Sequence, residues 1–265
     1  MNRRALLATL GTLGTTSLAG CTVGYAGPPA PADLPPGESF AEQGFPSTIC
    51  EEELKPELIP AIDDPAFGSD WSDPRIPEKY LRTGGLTDDR QVVGLARGDT
   101  AWAYPLAILR RHEVVNDTFE PRSKARRTAS DDTVDIPVLV TYCPLCRSGL
   151  VARREVDGDP TTFGVSGLLW KPPDAYAAAS EADGDVFVAG EGLGEDPSIR
   201  NTGNLVLYDF ATESRWSQLV ARAICGPKTG TDFEILPSTV ATWGEWKAEY
   251  PYTEVLLPPP ISGTL

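Results

Sequence analysis

The feature that most constrains the fold is an apolar, β-branched stretch that carries two cysteines on a turn. Residues 138–142 form a first apolar run, the sequence Cys143-Pro-Leu-Cys146 follows, and a second apolar run begins at Gly149. β-Branched residues favour strands, and two such runs joined by a short turn are typical of a β-hairpin. The stretch therefore predicts two strands whose connection presents a pair of sulfur atoms.

Strand patterns recur along the chain, whereas helical patterns are few and short. Gly98 suits a hairpin turn between the strands predicted around it, because glycine readily adopts positive φ. A helix is predicted from Pro105 through residue 115, and Thr242 with Glu245 forms a capping box that opens another. The remaining strands are predicted at 91–95, 100–104, 134–142, 149–156, 161–165, 205–210 and 215–219. The fold class is therefore mainly β (α+β), a single antiparallel β-rich domain with a few short helices.

The first residues resemble an export signal. Arg3 and Arg4 precede the weakly apolar run 5–18, which ends in a Leu-Ala-Gly-Cys sequence at Cys21. Paired arginines before such a run resemble a twin-arginine signal, and the ending resembles a lipoprotein cleavage box. We expect residues 1–20 to be removed, Cys21 to be lipidated, and the protein to be anchored by its lipid on the outer face of the cell membrane. An uncleaved amphipathic tail is the alternative.

The rest of the chain divides into a tether, one domain and a tail. Residues 21–57 are rich in proline, small residues and acids, which is typical of an extended tether. Residues 58–258 are numerous enough for one compact domain with a sizeable core. We predict polar surface loops at 120–135 and 171–204 within this domain, and a tail at 259–265.

The charge balance is strongly acidic. The chain has 23 basic and 38 acidic residues, which gives a formal net charge of −15. Such a surface repels nucleic acid and anionic lipid headgroups, so no nucleic-acid partner is expected. The scattered carboxylates resemble the surface of proteins from salt-loving archaea. A face that binds cationic ligands is the alternative reading.

Four cysteines remain after Cys21. An even number outside the cell permits two disulfides. The CxxC spacing suggests that Cys143 and Cys146 act together, which leaves Cys50 and Cys225 for a long-range disulfide. Closing so long a loop could stabilise the fold by up to about 5 kcal/mol.

The CxxC turn favours metal binding over redox chemistry on local grounds. Pro144 restricts Cys143 to extended conformations, so the amides through Arg147 and Ser148 can point at the Cys143 sulfur. A strand-turn-strand knuckle of this kind is typical of zinc-ribbon and rubredoxin-like sites. Oxidoreductases of the thioredoxin type instead place CxxC at the start of a helix, where the dipole lowers the thiol pKa.

A metal would need a ligand from elsewhere in the chain. His112, the only histidine, lies on the core-facing side of the predicted helix. Two thiolates and one imidazole suit copper or zinc, with the fourth position open or filled by water, Cys225, Glu113 or Asp117. A hydrogen-bonded core histidine is the competing interpretation of His112.

Two further functions use the same cysteines. A thiol-disulfide oxidoreductase would use Cys143 as nucleophile if that thiol is the more exposed, with Cys146 as its partner and His112 as proton acceptor. A non-catalytic binding or structural module would hold Cys143–Cys146 as an inert disulfide. The chain has no hydrolase, nucleotide-binding or transferase signature, so whether it is an enzyme stays open.

Other polar residues could line a pocket. Asp209, Trp216 and Gln218 gather around one predicted hairpin, and Glu113 and Asp117 follow His112. Asx-turns and cross-strand packing explain the hairpin residues without any function.

Ordered motifs along the chain resemble domain-of-unknown-function family 3179, found largely in exported bacterial and archaeal proteins. They are Ala103-Tyr-Pro-Leu106, His112-Glu-Val-Val-Asn-Asp117, Thr141-Tyr-Cys-Pro-Leu-Cys146, Phe163-Gly-Val-Ser-Gly-Leu168, Tyr208-Asp209, Ser214-x-Trp-Ser-Gln218, Gly226-Pro227 and Trp243-x-x-Trp246. The resemblance covers about residues 60–258 and implies that His112, Cys143 and Cys146 belong to one pattern. With the leader and the acidic surface, it implies an exported lipoprotein of haloarchaeal type. Arg147 and Phe210 depart from the family pattern.

Overall fold

The computed structural model describes residues 48–51, 53–54, 58–82, 85–98, 100–120, 135–170 and 204–265. The predicted signal peptide, the lipidation site at Cys21 and nearly all of the predicted tether lie outside these residues, as do most of the two predicted loops. Within these ranges, no helix has both the length and the apolar character needed to cross a membrane.

Three sheets and a small two-stranded ribbon make up the described part of the chain, which confirms the predicted mainly β fold. The first sheet contains, in spatial order, β16 (Gly263–Thr264), β1 (Ile62–Asp64), β5 (Val114–Phe119), β6 (Ile136–Cys143) and β7 (Ser148–Arg153). The second contains β14 (Thr239–Thr242), β3 (Gln91–Arg97), β4 (Thr100–Pro105), β15 (Glu254–Leu256) and β2 (Phe67–Gly68). The third contains β10 (Phe163–Trp170), β11 (Asn204–Asp209), β12 (Arg215–Ser217) and β13 (Arg222–Cys225). The ribbon pairs β8 (Glu155–Val156) with β9 (Asp159–Pro160).

Most neighbouring strands are antiparallel, but β1 with β5 and β4 with β15 are parallel pairs. The segment 259–265, predicted as a tail, contributes β16, which pairs with β1. The end of the chain therefore forms one margin of the first sheet.

Four short helices are α1 (Thr48–Glu51), α2 (Glu78–Leu81), α3 (Leu106–His112) and α4 (Trp243–Glu249) in the described residues. The capping box predicted for α4 is present, since Thr242 and Glu245 exchange both of its hydrogen bonds. The helix predicted through residue 115 is too long. Glu113 adopts a left-handed φ of 55° that ends α3, and the following β-branched residues pair with β6 instead.

The first sheet is buried on both faces. Along β6, Val138 and Val140 belong to one apolar cluster, which also includes residues of the second sheet, α3 and α4. Leu139 and Cys143 belong to another cluster, which also includes residues of the third sheet. Successive side chains of a strand point to opposite faces, so β6 separates the two clusters. We call them the α3 cluster and the cysteine cluster.

Candidate functional site

The predicted hairpin carries a disulfide at its turn. β6 and β7 pair in a register that sets Cys143 opposite Ser148, and Cys143 is bonded to Cys146. The Cys146 N–H donates to the Cys143 sulfur at 3.1 Å. Of the turn amides that we expected to point at this sulfur, the one that donates to it is that of Cys146. Arg147, at a left-handed φ of 53°, instead turns the chain into β7.

The two sulfurs differ in their access to solvent. Cys143 is 1% exposed, and its alternating position on β6 directs it into the cysteine cluster. Cys146 is only half-buried, and Leu145 between them is 39% exposed. Cys146 is therefore the residue that an incoming thiol reaches first. We predicted Cys143 as the nucleophile if its thiol were the more exposed. Since Cys146 is the more exposed residue, Cys146 is the candidate nucleophile instead.

Gln218 fixes the hairpin from the third sheet. Its amide oxygen accepts from the Ser148 hydroxyl at 2.9 Å, and its amide nitrogen donates to the Thr141 hydroxyl at 3.1 Å. Ser148 faces Cys143 across the hairpin, and Thr141 lies two residues before Cys143 on β6. Gln218 is the one predicted pocket residue that bonds directly to both strands of the disulfide hairpin.

His112 is a hydrogen-bonded core residue. Its Nδ1 lies 2.8 Å from the Pro60 carbonyl oxygen, so Nδ1 carries the proton and donates to it. Its Nε2 then accepts from the Tyr80 hydroxyl, also at 2.8 Å. Both ring nitrogens are thus engaged, and burial lowers the pKa of His112, which favours the neutral imidazole.

The predicted metal site of His112, Cys143 and Cys146 is not assembled. In the described part of the chain, no three histidine, cysteine or acidic side chains form a group that could hold a metal. The imidazole bonds to Tyr80 of the α3 cluster, whereas Cys143 belongs to the cysteine cluster. Moreover, sulfurs joined in a disulfide are not thiolate ligands. These residues therefore do not fit copper or zinc.

Glu113 is a buried acidic residue whose backbone borders the hairpin. Its carbonyl oxygen accepts the Tyr142 N–H at 2.9 Å, which places its backbone one residue from Cys143. The residue is 8% exposed, and the loss of hydration raises its pKa from 4.5 to about 7. Near neutral pH this group can therefore take up or release a proton.

Asp117 lies further along β5, paired with Val138 and away from the turn. Its carboxylate accepts from the Tyr104 hydroxyl at 2.7 Å and from the Thr118 amide at 2.7 Å. Burial, which outweighs these bonds, raises its pKa to about 6. Asp117 is a satisfied polar group within the fold.

Asp209 and Trp216 bond to each other instead of lining a pocket. The buried Asp209 carboxylate accepts from the indole N–H of Trp216 at 2.8 Å and from the Thr212 amide at 2.6 Å. The same carboxylate accepts from the Thr212 hydroxyl at 2.9 Å. This is the Asx-turn and cross-strand arrangement that needs no function.

A second disulfide joins Cys50 of α1 to Cys225 at the end of β13. The bond ties residues 48–51, which fell within the predicted tether, to the third sheet. Ile49 and Ile224 pack beside it in a small apolar cluster.

An open cleft of about 620 Å³ adjoins the disulfide hairpin. Tyr142, Pro144, Arg147, Gly149 and Leu150 form its hairpin side, and we call it the disulfide cleft. Its other side comes from the second sheet and α3, where Val93, Leu106, Val240 and Arg110 contribute.

The arginines of the disulfide cleft are absent from the sequence-based candidates. Arg110 and Arg147 are exposed, and neither forms an ion pair with any described residue. No motif joins two residues so far apart in the chain. The one signal in the sequence is that Arg147 departs from the family pattern directly after the second cysteine.

Comparison with curated proteins and with solved structures gives no match. A family model described as "Protein of unknown function (DUF3179)" matches residues 56–172 and 196–262. These segments cover more than half of the chain and contain the disulfide hairpin, His112 and Gln218. The chain therefore belongs to the DUF3179 family.

Proposed function

We propose that the protein is a thiol-disulfide oxidoreductase whose reactive group is Cys143–Cys146. The observation that carries the proposal is a CxxC disulfide between one buried and one half-buried cysteine, in a turn whose Pro144 and Arg147 border an open cleft. Neither hydrolysis nor metal chemistry has a comparable group in the described residues.

The exchange begins at Cys146. A thiolate of a dithiol substrate attacks the Cys146 sulfur, the Cys143–Cys146 bond breaks, and its electron pair passes to the Cys143 sulfur. The second thiolate of the substrate then attacks the substrate sulfur of this mixed disulfide and displaces the Cys146 thiolate. The substrate leaves as a disulfide, and its two protons and two electrons reduce the two cysteines to thiols.

The surroundings of Cys143 suit a leaving group. A thiolate leaves faster when its negative charge is stabilised, and the Cys146 N–H donates to this sulfur at 3.1 Å. Burial opposes the charge because Cys143 is 1% exposed.

Trapping of a mixed disulfide tests the proposal. Cys143→Ser leaves the half-buried Cys146 thiol without a resolving partner. A one-cysteine peptide supplied as its disulfide with thionitrobenzoate should therefore form a stable mixed disulfide with Cys146, because the peptide has no second thiol to displace it. The matched variant Cys146→Ser leaves only the buried Cys143 thiol and should form far less. Mass spectrometry after acid quenching measures both adducts, with Cys50–Cys225 intact in each.

Two outcomes would count against the proposal. Equal, negligible adducts in both variants would indicate an inert structural disulfide. Stoichiometric copper or zinc bound by the reduced protein, and lost in Cys143→Ser, would restore the metal-binding alternative.

We further propose that the protein works outside the cell, anchored by a lipid at Cys21, as a lipoprotein of haloarchaeal type. The leader at residues 1–20, the acidic composition and two disulfides support this, since disulfides persist in oxidising compartments. Mass spectrometry of the mature N-terminus should find a diacylglycerol mass on Cys21, which a Cys21→Ser variant lacks. An unmodified N-terminus at Met1 would contradict the anchor.

A further inference from the structure

The disulfide cleft is cationic in an acidic protein. Arg110 and Arg147 flank it, and none of the described residues that line it is acidic. A neighbouring cleft of about 490 Å³ shares Arg110 with it and adds Lys79, Arg90 and Arg111, against the single acid Asp89. The chain as a whole carries a formal net charge of −15. A contiguous basic surface therefore leads to the disulfide hairpin.

The cleft also exposes an unused strand edge. In β7, the Arg153 N–H donates to the Glu234 carbonyl and the Val151 carbonyl accepts from the Leu236 N–H, both at 2.8 Å. These groups point away from β6, because the outward and inward groups of a strand alternate. Gly149 lies two residues before Val151, so its N–H and carbonyl point outward as well.

Gly149 is exposed, and no described segment outside the hairpin hydrogen-bonds to its backbone. The segment that covers β7 bridges Ala152 through Ile235, and no backbone bond from another described segment reaches Gly149. A side chain is also excluded here, since a Cβ on Gly149 would lie 2.7 Å from the Thr141 carbonyl oxygen. The backbone of Gly149 is thus open to a ligand.

We infer that the disulfide cleft binds an extended acidic segment of a partner protein, which pairs with the β7 edge at Gly149 between Arg110 and Arg147. An extended chain satisfies outward N–H and carbonyl groups by adding a strand, which a small anion cannot do. Its alternating side chains reach both rims, where carboxylates meet the two arginines and apolar groups meet Val93, Leu106 and Leu150. The inference deepens the proposed function, because it makes the substrate a cysteine-bearing acidic segment.

A cysteine-free peptide separates this binding from the redox chemistry. We would titrate oxidised, 15N-labelled protein with an acetylated peptide of alternating glutamate and valine, and with its lysine-valine counterpart. The acidic peptide should shift the Gly149 amide resonance and slow its hydrogen exchange, whereas the lysine peptide should not. Binding should weaken as salt rises, because exposed charges are screened.

Variants then assign the contacts. Arg110→Gln and Arg147→Asn should each weaken the acidic peptide about two- to fivefold, which is the range for exposed ion pairs. Asparagine is chosen because it tolerates the left-handed φ of residue 147. Arg82→Gln, outside both clefts, should leave the affinity unchanged.

Three results would overturn the inference: equal binding of the two peptides, an undisturbed Gly149 amide, or glutarate binding as tightly as the acidic peptide. The last would indicate a small-anion site. Because the peptide lacks cysteine, a redox-inert protein could still bind it, and a redox-active protein could fail to do so.

Discussion

The two disulfides of this protein differ in nearly every property that decides whether a disulfide is structural or reactive. Cys50–Cys225 joins residues 175 apart and ties α1 to the third sheet. Cys143–Cys146 joins residues 3 apart within one turn. In the chain-entropy model the long loop contributes about 5 kcal/mol to stability and the short one about 2 kcal/mol or less. The long-range bond is thus the stabilising one.

The difference extends to the surroundings of each bond. Gln218 and the Cys146 N–H hold the small ring in place, yet Cys146 is only half-buried and the turn that carries it borders an open cleft. A bond that adds little stability, but is positioned by several polar groups, can open and close without unfolding the protein. A disulfide that polar groups hold in place, but that adds little to the stability of the fold, is thus the better candidate for a reactive disulfide.

The largest expected effect comes from removing each disulfide in turn. The double substitution Cys50→Ala with Cys225→Ala should lower the free energy of unfolding by about 5 kcal/mol, because the unfolded chain regains its freedom. Cys143→Ala with Cys146→Ala should cost about 2 kcal/mol or less beyond the packing lost. Urea unfolding of both variants measures the two values, and equal losses would break the comparison.

A second prediction concerns the buried carboxyl of Glu113. An ordinary glutamate has a pKa of 4.5, whereas burial raises the pKa of Glu113 to about 7 in the folded protein. The folded state therefore holds the Glu113 proton more tightly than the unfolded state does. Stability should therefore fall as pH rises from about 4.5 to about 7, by up to about 3 kcal/mol, and then level off. Glu113→Gln should remove this slope and stabilise the protein at pH 8. If the free energy of unfolding of the unsubstituted protein and of Glu113→Gln changed with pH in the same way, the raised pKa of Glu113 would be contradicted.

Gln218 tests how the hairpin is held. Gln218→Ala leaves the Thr141 and Ser148 hydroxyls without their partner and should cost about 1–3 kcal/mol. It should also loosen the ring and speed its reduction by dithiothreitol. The triple substitution Gln218→Leu, Thr141→Val and Ser148→Ala, which removes donors and acceptors together, should regain much of the stability. A triple variant no more stable than Gln218→Ala would argue against these bonds.

The smallest expected effect is at Leu145, which is 39% exposed in the ring. Leu145→Asp should slow thiolate attack on Cys146, and Leu145→Lys should speed it, by about two- to fivefold each through charge alone. Neither should change the unfolding free energy by more than about 0.5 kcal/mol, as usual for exposed positions. Stopped-flow rates with dithiothreitol measure both, and identical rates would contradict an approach of the thiolate past Leu145.

Local patterns predicted the elements of the fold well. The apolar runs on either side of Cys143 and Cys146 form β6 and β7, and Thr242 caps α4. These features depend on residues close together in the chain. The helix ending at His112 was predicted too long, because the left-handed conformation of Glu113 is set by the pairing of the residues that follow it.

The site was harder to predict because it depends on which residues meet across the fold. Helix periodicity correctly predicted that His112 faces the core. However, the first sheet has an apolar cluster on each face, and periodicity does not indicate which cluster a side chain joins. His112 bonds to Tyr80 in the α3 cluster, while Cys143 lies in the cysteine cluster. Arg110 and Arg147 meet at one cleft only through the packing of two sheets, which no spacing along the chain reveals.

The most direct test of the central claim is a redox titration that reads both disulfides separately. The protein is equilibrated in graded dithiothreitol buffers, alkylated, digested and analysed by mass spectrometry. We predict that Cys143–Cys146 is reduced with a midpoint above about −300 mV, while Cys50–Cys225 stays oxidised to lower potentials, as structural disulfides do. Cys143–Cys146 surviving to potentials below that of Cys50–Cys225 would contradict the account.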